Sequence, residues 1–278
     1  MILPGNASCH GCPITIAMRT LEEVENPVVL MPASCSTVIA GIHPNSALKI
    51  PVVHVPFPST PSIAAGMSRG YRKLGIKANV IAWMGDGSAD ISFSALKAVA
   101  ERDEDIIVVV VDNEAFMNTG NQSSSSTPKY AKTTTDPLGK KANGRSVSLS
   151  LIEFGYVATA SIGYVRDLRE KMRKAGKKEG FRLIHIHCPC PPGWRFSSEL
   201  TVEIARLAVE TLFWVLWEKD EKLRISKISK RAFENRLPAE KYILLQGRFK
   251  GIREEEIREL ERQAVEEFEK LLKLEEIL

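Results

Sequence analysis

The feature that most constrains this chain is a run of strand, glycine turn, helix and strand between residues 80 and 113. Val80 to Met84 is short and apolar, and it ends in Gly85-Asp86-Gly87. Ala89 to Glu101 follows with helical spacing, and Ile106 to Val111 is an unbroken aliphatic run. A strand of that kind is buried on both faces, which happens where helices cover a parallel sheet. Parallel neighbours need a crossover, so the run predicts a βαβ unit. The expected fold is α/β, a doubly wound and mainly parallel sheet with helices on both faces. Further strands are expected at Val28–Met31, Pro51–Val55, Val157–Ala160 and Phe181–His187. Helices are expected over 13–24, Ser62–Leu74, Ser148–Phe154 and Val165–Lys174, with a long one over Glu199–Trp217. Past about residue 220 the pattern changes, and Glu254–Leu274 is amphipathic and charge-rich. Two units are therefore expected: a main domain over 1–218 and a helical C-terminal extension over 219–278.

Charge and hydropathy exclude several function classes. The 278 residues carry 38 basic and 34 acidic side chains, a net charge of +4 that is too weak to imply nucleic acid. The longest purely apolar runs, Ile106–Val111 and Leu212–Trp217, are too short to cross a bilayer, so no membrane is expected. Met1 to Gly5 lacks the features of a signal peptide, and a cytoplasmic location is the expectation.

The glycine turn has the parts that a Mg²⁺-held diphosphate needs. Glycine lets backbone approach phosphate closely. A helix start offers free N–H groups. Hard oxygen ligands complete an octahedron that phosphate only partly fills. Asp86 supplies one carboxylate at a strand end, and Asn113, 27 residues later, lies at the end of the next strand. A backbone carbonyl near Ala115 is a third candidate ligand. Asp-Gly alone is an ordinary turn; the turn, helix, apolar strand and Asn together favour the metal-diphosphate reading. The polar stretch Asn118–Arg145 is long for an idle loop inside a compact domain.

Five cysteines, Cys9, Cys12, Cys35, Cys188 and Cys190, are an odd count that argues against a disulfide framework. Cys9-His10-Gly11-Cys12 is a CxxC in a glycine-containing turn, and Cys35 and Cys190 each follow a strand. Thiolates from three places can enclose an iron–sulfur cluster, although the compact ferredoxin run is missing. On spacing alone a Cys₄ zinc site is a serious rival, and inert buried thiols are the blander reading.

The match to a known family extends well beyond these motifs. Gly-Asp-Gly followed at this distance by Asn resembles thiamine-diphosphate enzymes. The stretch DNEAFMNTGNQSSSSTPKYAKTTTDPLGK at 112–140 is similar to the β subunits of pyruvate and 2-oxoisovalerate ferredoxin oxidoreductases. So are PASCSTVIAG at 32–41, YVATASIG at 156–163, CPPGWR at 190–195, VEIARLAVET at 202–211 and LQGRFK at 245–250. The resemblance implies thiamine diphosphate, Mg²⁺ and one [4Fe–4S] cluster as cofactors. It makes Asp86, Asn113 and Ala115, through its carbonyl, the Mg²⁺ ligands. Cys9, Cys12, Cys35 and Cys190 become the cluster ligands, with Cys188 a spare packed thiol. Gly85, Gly87, Ser88, Thr119 and Gly120 would line the cofactor, and Asn118 would stand as the catalytic residue near the reacting 2-oxoacid. Cys35, Ser36 and Thr37 are placed near the cofactor too. His54 is a candidate to face it, a satisfied core histidine being at least as good a reading.

The activity implied is CoA-dependent oxidative decarboxylation of a 2-oxoacid, with electrons passing to ferredoxin. Partners are implied as well: an α subunit completing the thiamine site, and γ/δ-type subunits that include a ferredoxin-like electron exit. Three departures bear on the substrate. Pro56-Phe57-Pro58-Ser59 stands where relatives often carry Phe-Glu, Ser123 replaces an Arg found in many, and Ile14 replaces a Glu found in some. Two other readings compete: a non-redox thiamine-dependent decarboxylase subunit with structural zinc, and a cofactor-holding subunit with no turnover.

Overall fold

The computed structural model describes residues 2–278. Eight strands form one sheet: β1 Pro27–Pro32, β2 Val52–Val55, β3 Asn79–Gly85, β4 Ile106–Asp112, β5 Tyr156–Ser161, β6 Phe181–His187, β7 Trp217–Lys219 and β8 Leu223–Ile225. Their order is β2-β1-β3-β4-β6-β5-β7-β8. β1 to β6 pair in parallel, and β7 and β8 add an antiparallel hairpin beside β5. The expected doubly wound, mainly parallel sheet is present, with β3 and β4 side by side in its middle.

Period-two alternation explains why both faces are covered. Val80, Ala82 and Met84 of β3 join Ile106, Val108 and Val110 of β4 in one core. Ile81, Trp83, Ile107, Val109 and Val111 point into the opposite one. Helix Val165–Lys177 lays Leu168, Met172 and Ala175 on the second core. Helix Thr60–Lys73 brings Ala64 and Ala65 to the first, where small side chains permit close approach to the sheet. Gly85 is in register with Val111, so the turn after β3 and the Asp112-Asn113 end of β4 emerge together. Ligands bind at this carboxyl edge in open parallel sheets.

Local expectation and structure differ in instructive places. The helix after the glycine turn starts at Asp86, earlier than Ala89, and breaks at Ser92 into Asp86–Ile91 and Phe93–Glu101. Ser92 Oγ donates to the Ser88 carbonyl at 2.6 Å and competes with the helix ladder. The long helix expected over Glu199–Trp217 runs only from Thr201 to Glu210. Leu212 takes a left-handed φ of 66°, and Trp217 begins β7. No Gly or Pro marks that stop; pairing with β5 decides it. The helix expected over 13–24 is Ile14–Met18 followed by a 3₁₀ turn, Arg19–Glu23. Ser148–Phe154 yields a single turn, Val147–Ser150.

The boundary expected between 218 and 219 falls within β7. Residues 219–278 extend the sheet through β8, and helix Glu254–Ile277 sets Ala264, Phe268 and Leu271 into the same core as β3 and β4. Phe268 is fully buried and stacks on Phe233 at 4.6 Å between centroids. Phe268→Ala is expected to cost about 3–5 kcal/mol, read as a shifted urea midpoint of the whole chain. A separate unfolding step for the C-terminus, with the main midpoint unmoved, would argue against a shared core. Among the described residues no helix is long and apolar enough to cross a membrane.

Candidate functional site

Two buried carboxylates and an orphaned amide meet at the β3–β4 edge. Asp86 is 1% exposed, and the buried Oδ1 of Asn113 has no hydrogen-bond partner. Behind them, the Ser126 hydroxyl lies 2.8 Å from Asp112 Oδ1 and 3.2 Å from Asp86 Oδ2. His185 Nε2 sits 2.8 Å from Asp112 Oδ2, and the Glu114 N–H donates to Asp112 Oδ1 at 2.8 Å. Burial, then the neighbouring Asp112, push the Asp86 carboxyl well above its usual range. Burial pushes Asp112 the same way, but His185, Ser126 and the Glu114 N–H outweigh it and hold that group low. Asp112 is therefore satisfied by protein, whereas among the described residues no cationic side chain pairs with Asp86. A buried carboxylate and an unsatisfied amide oxygen in one cavity are the hard donors that Mg²⁺ takes.

That cavity is lined by most of the residues expected to hold a thiamine cofactor. Gly85, Asp86, Gly87, Ser88, Asn113, Ala115, Asn118 and Thr119 face it, together with Cys35 and Ser36. Its apolar walls are Ile14, Phe57, Phe116 and Met117. Ser88 Oγ donates to the Phe57 carbonyl at 3.0 Å, fixing the turn to the segment after β2. A Cβ on Gly87 would lie 2.6 Å from the Phe116 ring. Gly87→Ala is expected to weaken cofactor binding by roughly 10–100-fold through misplacement of this wall. Phe116→Leu in the same chain should restore part of the loss, measured by calorimetric titration.

Three expected residues are not brought to this cavity: Thr37, His54 and Gly120, the last of which lines the neighbouring thiol cavity instead. The Thr37 hydroxyl donates to the Pro32 carbonyl at 2.5 Å. His54 is exposed, and its Nε2 lies 3.0 Å from the Gly41 carbonyl. β2 is the sheet edge, so a residue at its end reaches solvent before it reaches the centre.

A second cavity of about 320 Å³ gathers the thiols. Cys9, Cys12, Cys35, Cys188 and Cys190 line it, as does Gly120. It shares Ile14, Cys35, Asn113, Met117 and Asn118 with the glycine-turn cavity, and Cys35 Sγ stands 3.9 Å from Asn118 Oδ1. Among the described residues, no three His, Cys, Asp or Glu side chains converge closely enough to share a single metal ion. Burial raises the Cys12 thiol, pushes Cys35 up to about 11 and pushes Cys190 up to about 12. Metal binding would thus release protons from these groups.

The 118–145 loop is tied down. Lys140 Nζ donates to the carbonyls of Ser124, Ser125 and Thr127 at 2.8, 3.0 and 2.7 Å. The Ser125 N–H donates to Asp90 at 2.6 Å. The serine run is an ordered wall, which its composition alone does not reveal.

From sequence, Trp194 reads as an aromatic packed near the thiols, with a plain core aromatic the safer reading, and Arg248 is not singled out. Trp194 is buried, and its indole N–H donates to the Asn113 carbonyl at 2.8 Å. Arg248 sets its guanidinium carbon 3.5 Å from the centre of the Trp194 ring. Arg248 Nη1 also stands 2.5 Å from Glu114 Oε2. Glu114 has a left-handed φ of 60°, and burial pushes its carboxyl up to about 7 despite Arg248.

Buried His187, against Trp194 and Trp214, is pushed down to about 3 by burial. Its unfolded value is about 6.5. The unfolded chain therefore binds one more proton between these values, and stability falls as pH drops from about 6.5 towards 3. His187→Phe should flatten the low-pH slope of the unfolding free energy by up to one proton; an unchanged slope refutes the assignment.

The fold and the turn define a thiamine-diphosphate-enzyme domain. The family described as thiamine pyrophosphate enzyme, C-terminal TPP binding domain, matches residues 33–186. The chain is 38% identical to the ketoisovalerate oxidoreductase subunit VorB of Pyrococcus horikoshii, over 98% of this chain and 93% of that one. It is 41% identical to the pyruvate synthase subunit PorB of Methanothermobacter marburgensis, over 92% of this chain and 91% of that one. Among solved structures, the 2-oxoglutarate:ferredoxin oxidoreductase from Magnetococcus marinus with 2-oxoglutarate, coenzyme A and succinyl-CoA bound shares the fold. There the TM-score is 0.59 at 18% identity, over 72% of this chain and 77% of that one. The chain belongs to the thiamine-diphosphate-binding β subunits of 2-oxoacid:ferredoxin oxidoreductases, and is an oxidoreductase subunit.

Proposed function

We propose that this chain carries the reaction centre for CoA-dependent oxidative decarboxylation of a 2-oxoacid, with ferredoxin as electron acceptor. Asp86, Asn113 and the Ala115 carbonyl would hold Mg²⁺ on the cofactor's diphosphate, and Cys9, Cys12, Cys35 and Cys190 would hold a [4Fe–4S] cluster. When bound, thiamine diphosphate supplies an electron sink for decarboxylation, and the cluster supplies one-electron redox chemistry. The observation that carries this reading is the shared wall, where Cys35 and Asn118 face both cavities.

The chain's own residues have separable tasks. Asp86 and Asn113 present oxygens from adjacent strand ends. Gly87 leaves room for the Phe116 ring, which with Ile14 and Phe57 keeps water from the cavity wall. Asn118, beside Cys35, is positioned to orient the 2-oxoacid. Ile14 and Phe57 stand at two of the places where relatives carry acids, and an apolar wall suits pyruvate or a branched-chain 2-oxoacid. Relatives named for ketoisovalerate and pyruvate agree with that class. Coenzyme A, present in the Magnetococcus structure, would accept the acyl group.

The relatives are named as subunits, and this chain is expected to act in a multi-subunit assembly. An α subunit would complete the thiamine site, and γ/δ-type subunits with a ferredoxin-like module would carry electrons out. The test is anaerobic purification of the native complex, with iron and sulfide analysis and a screen of 2-oxoacids for CoA-dependent viologen reduction. Zinc without iron or sulfide, or no reduction with any 2-oxoacid, would overturn the reading.

A further inference from the structure

The Asn113–Ala115 segment is held by groups that arrive from two distant parts of the chain. Trp194 follows Cys190 by four residues, in the turn Pro191–Trp194 that caps the thiol cavity. Its indole N–H donates to the Asn113 carbonyl at 2.8 Å. Arg248 comes from the 3₁₀ turn Gly247–Phe249 in the C-terminal extension. It is 3% exposed, sets its guanidinium carbon over the Trp194 ring at 3.5 Å from the centroid, and pairs with Glu114. Between Asn113 and Ala115, Glu114 is left-handed with a φ of 60°. A non-glycine residue in that region is strained by about 1–3 kcal/mol and persists only where its surroundings over-determine it.

We propose that Trp194 and Arg248 are positioning residues that clamp the strained Asn113–Ala115 segment, so that the cysteine loop and the C-terminal extension together set the geometry of the Mg²⁺–diphosphate site. Neither side chain touches the cavity that the cofactor would occupy. Each acts through backbone or through Glu114. Trp194 fixes the Asn113 peptide plane, and with it the direction of the orphaned Asn113 Oδ1. Arg248 holds Glu114 in its left-handed conformation and so directs the Ala115 carbonyl. The ring-on-guanidinium contact links the two, and such stacking is stronger when desolvated. Gly193 supports the arrangement: a Cβ there would lie 2.1 Å from Met117 Sδ, so the cysteine loop packs directly on the cofactor loop.

The proposal rests on the Mg²⁺–diphosphate reading above, and the test separates the two. The assembled complex is titrated calorimetrically with thiamine diphosphate across a range of Mg²⁺ concentrations, after cofactor removal. The forms compared are wild type, Trp194→Phe, Arg248→Met and the double variant. Trp194→Phe keeps an aromatic face but removes the N–H together with the pyrrole part of the indole; Arg248→Met keeps much of the volume and removes the charge. Each single variant is expected to weaken binding by at least tenfold and to shift half-saturation to higher Mg²⁺. Iron content and the cluster's EPR signal should be retained. The double variant should lose less than the product of the singles, because the two groups act as one clamp. Arg248→Lys keeps the charge without the planar stack and should recover only part of the affinity. Unchanged thiamine diphosphate affinity and Mg²⁺ dependence in folded Trp194→Phe and Arg248→Met would overturn the clamp. Wild type that binds thiamine diphosphate without any need for Mg²⁺ would instead overturn the reading beneath it.

Discussion

Asp86→Asn is expected to abolish 2-oxoacid-dependent electron transfer while leaving the cofactor-free subunit as stable as wild type or more so. The two effects have opposite signs because the role proposed for Asp86, binding the cofactor's metal, comes at the expense of the cofactor-free fold. It is 1% exposed, burial and Asp112 both disfavour its ionised form, and among the described residues no basic side chain pairs with it. Replacing an uncompensated buried carboxylate by its neutral isostere removes desolvation and like-charge repulsion. The same change would remove the anionic ligand proposed for the divalent cation. Activity should fall at least roughly 10²–10³-fold, the scale seen when one electrostatic anchor is lost from a buried site. Thermal unfolding gives the second readout. Wild type should gain stability with thiamine diphosphate and Mg²⁺ by mass action, and the gain should vanish in Asp86→Asn or when EDTA removes the metal. A variant that keeps its cofactor-dependent gain would refute Asp86 as the anchor.

What could be read from the sequence followed from how local each signal was. Strand, Gly85-Asp86-Gly87, helix and aliphatic strand are contiguous, and parallel pairing of β3 and β4 then forces Asp86 and Asn113 together. Cys9 and Cys12 were equally accessible because two thiols in one turn need no tertiary knowledge. The end of the helix at Glu210 was not, since the run Leu212–Trp217 has no breaker and its fate depends on β5, far away in sequence. His54 shows the converse. Its place at a strand end suggested a site role, but β2 is the edge strand and the ring ends in solvent against Gly41.

The positioning network was hidden for a related reason. Ser126 is one hydroxyl in a four-serine run, and nothing in that run says which serine bridges Asp86 and Asp112. His185 alternates along β6 as any core residue does, yet β6 pairs with β4 and puts it on Asp112. Arg248 lies 134 residues after Glu114, and only the packing of the C-terminal extension joins them. A site's ligands follow from motifs, whereas the groups that hold those ligands follow from tertiary packing.

Cys190→Ala and Cys188→Ala, two residues apart, are expected to diverge sharply. Both thiols line the same cavity, but Cys188 is fully buried in the sheet core and its backbone N–H is spent on the Asp112 carbonyl at 2.8 Å. Cys190 lies past the end of β6, half-buried, where the turn Pro191–Trp194 begins. Its backbone carbonyl accepts from the Trp194 backbone N–H at 2.9 Å, which fixes the loop on the wall that Cys190 shares with Cys9, Cys12 and Cys35. A cluster held by four thiolates tolerates the loss of a bystander thiol and not of a ligand. Cys190→Ala should therefore lose most iron and sulfide, the visible absorbance and viologen reduction together, with the fold retained by circular dichroism. Cys188→Ala should keep iron and sulfide at the wild-type ratio, with only a modest drop in unfolding midpoint from a lost core atom. The reverse pattern would make Cys188 the fourth ligand. Equal loss in both would mean that the two form a shared site, and the division between ligand and packed thiol would then be wrong.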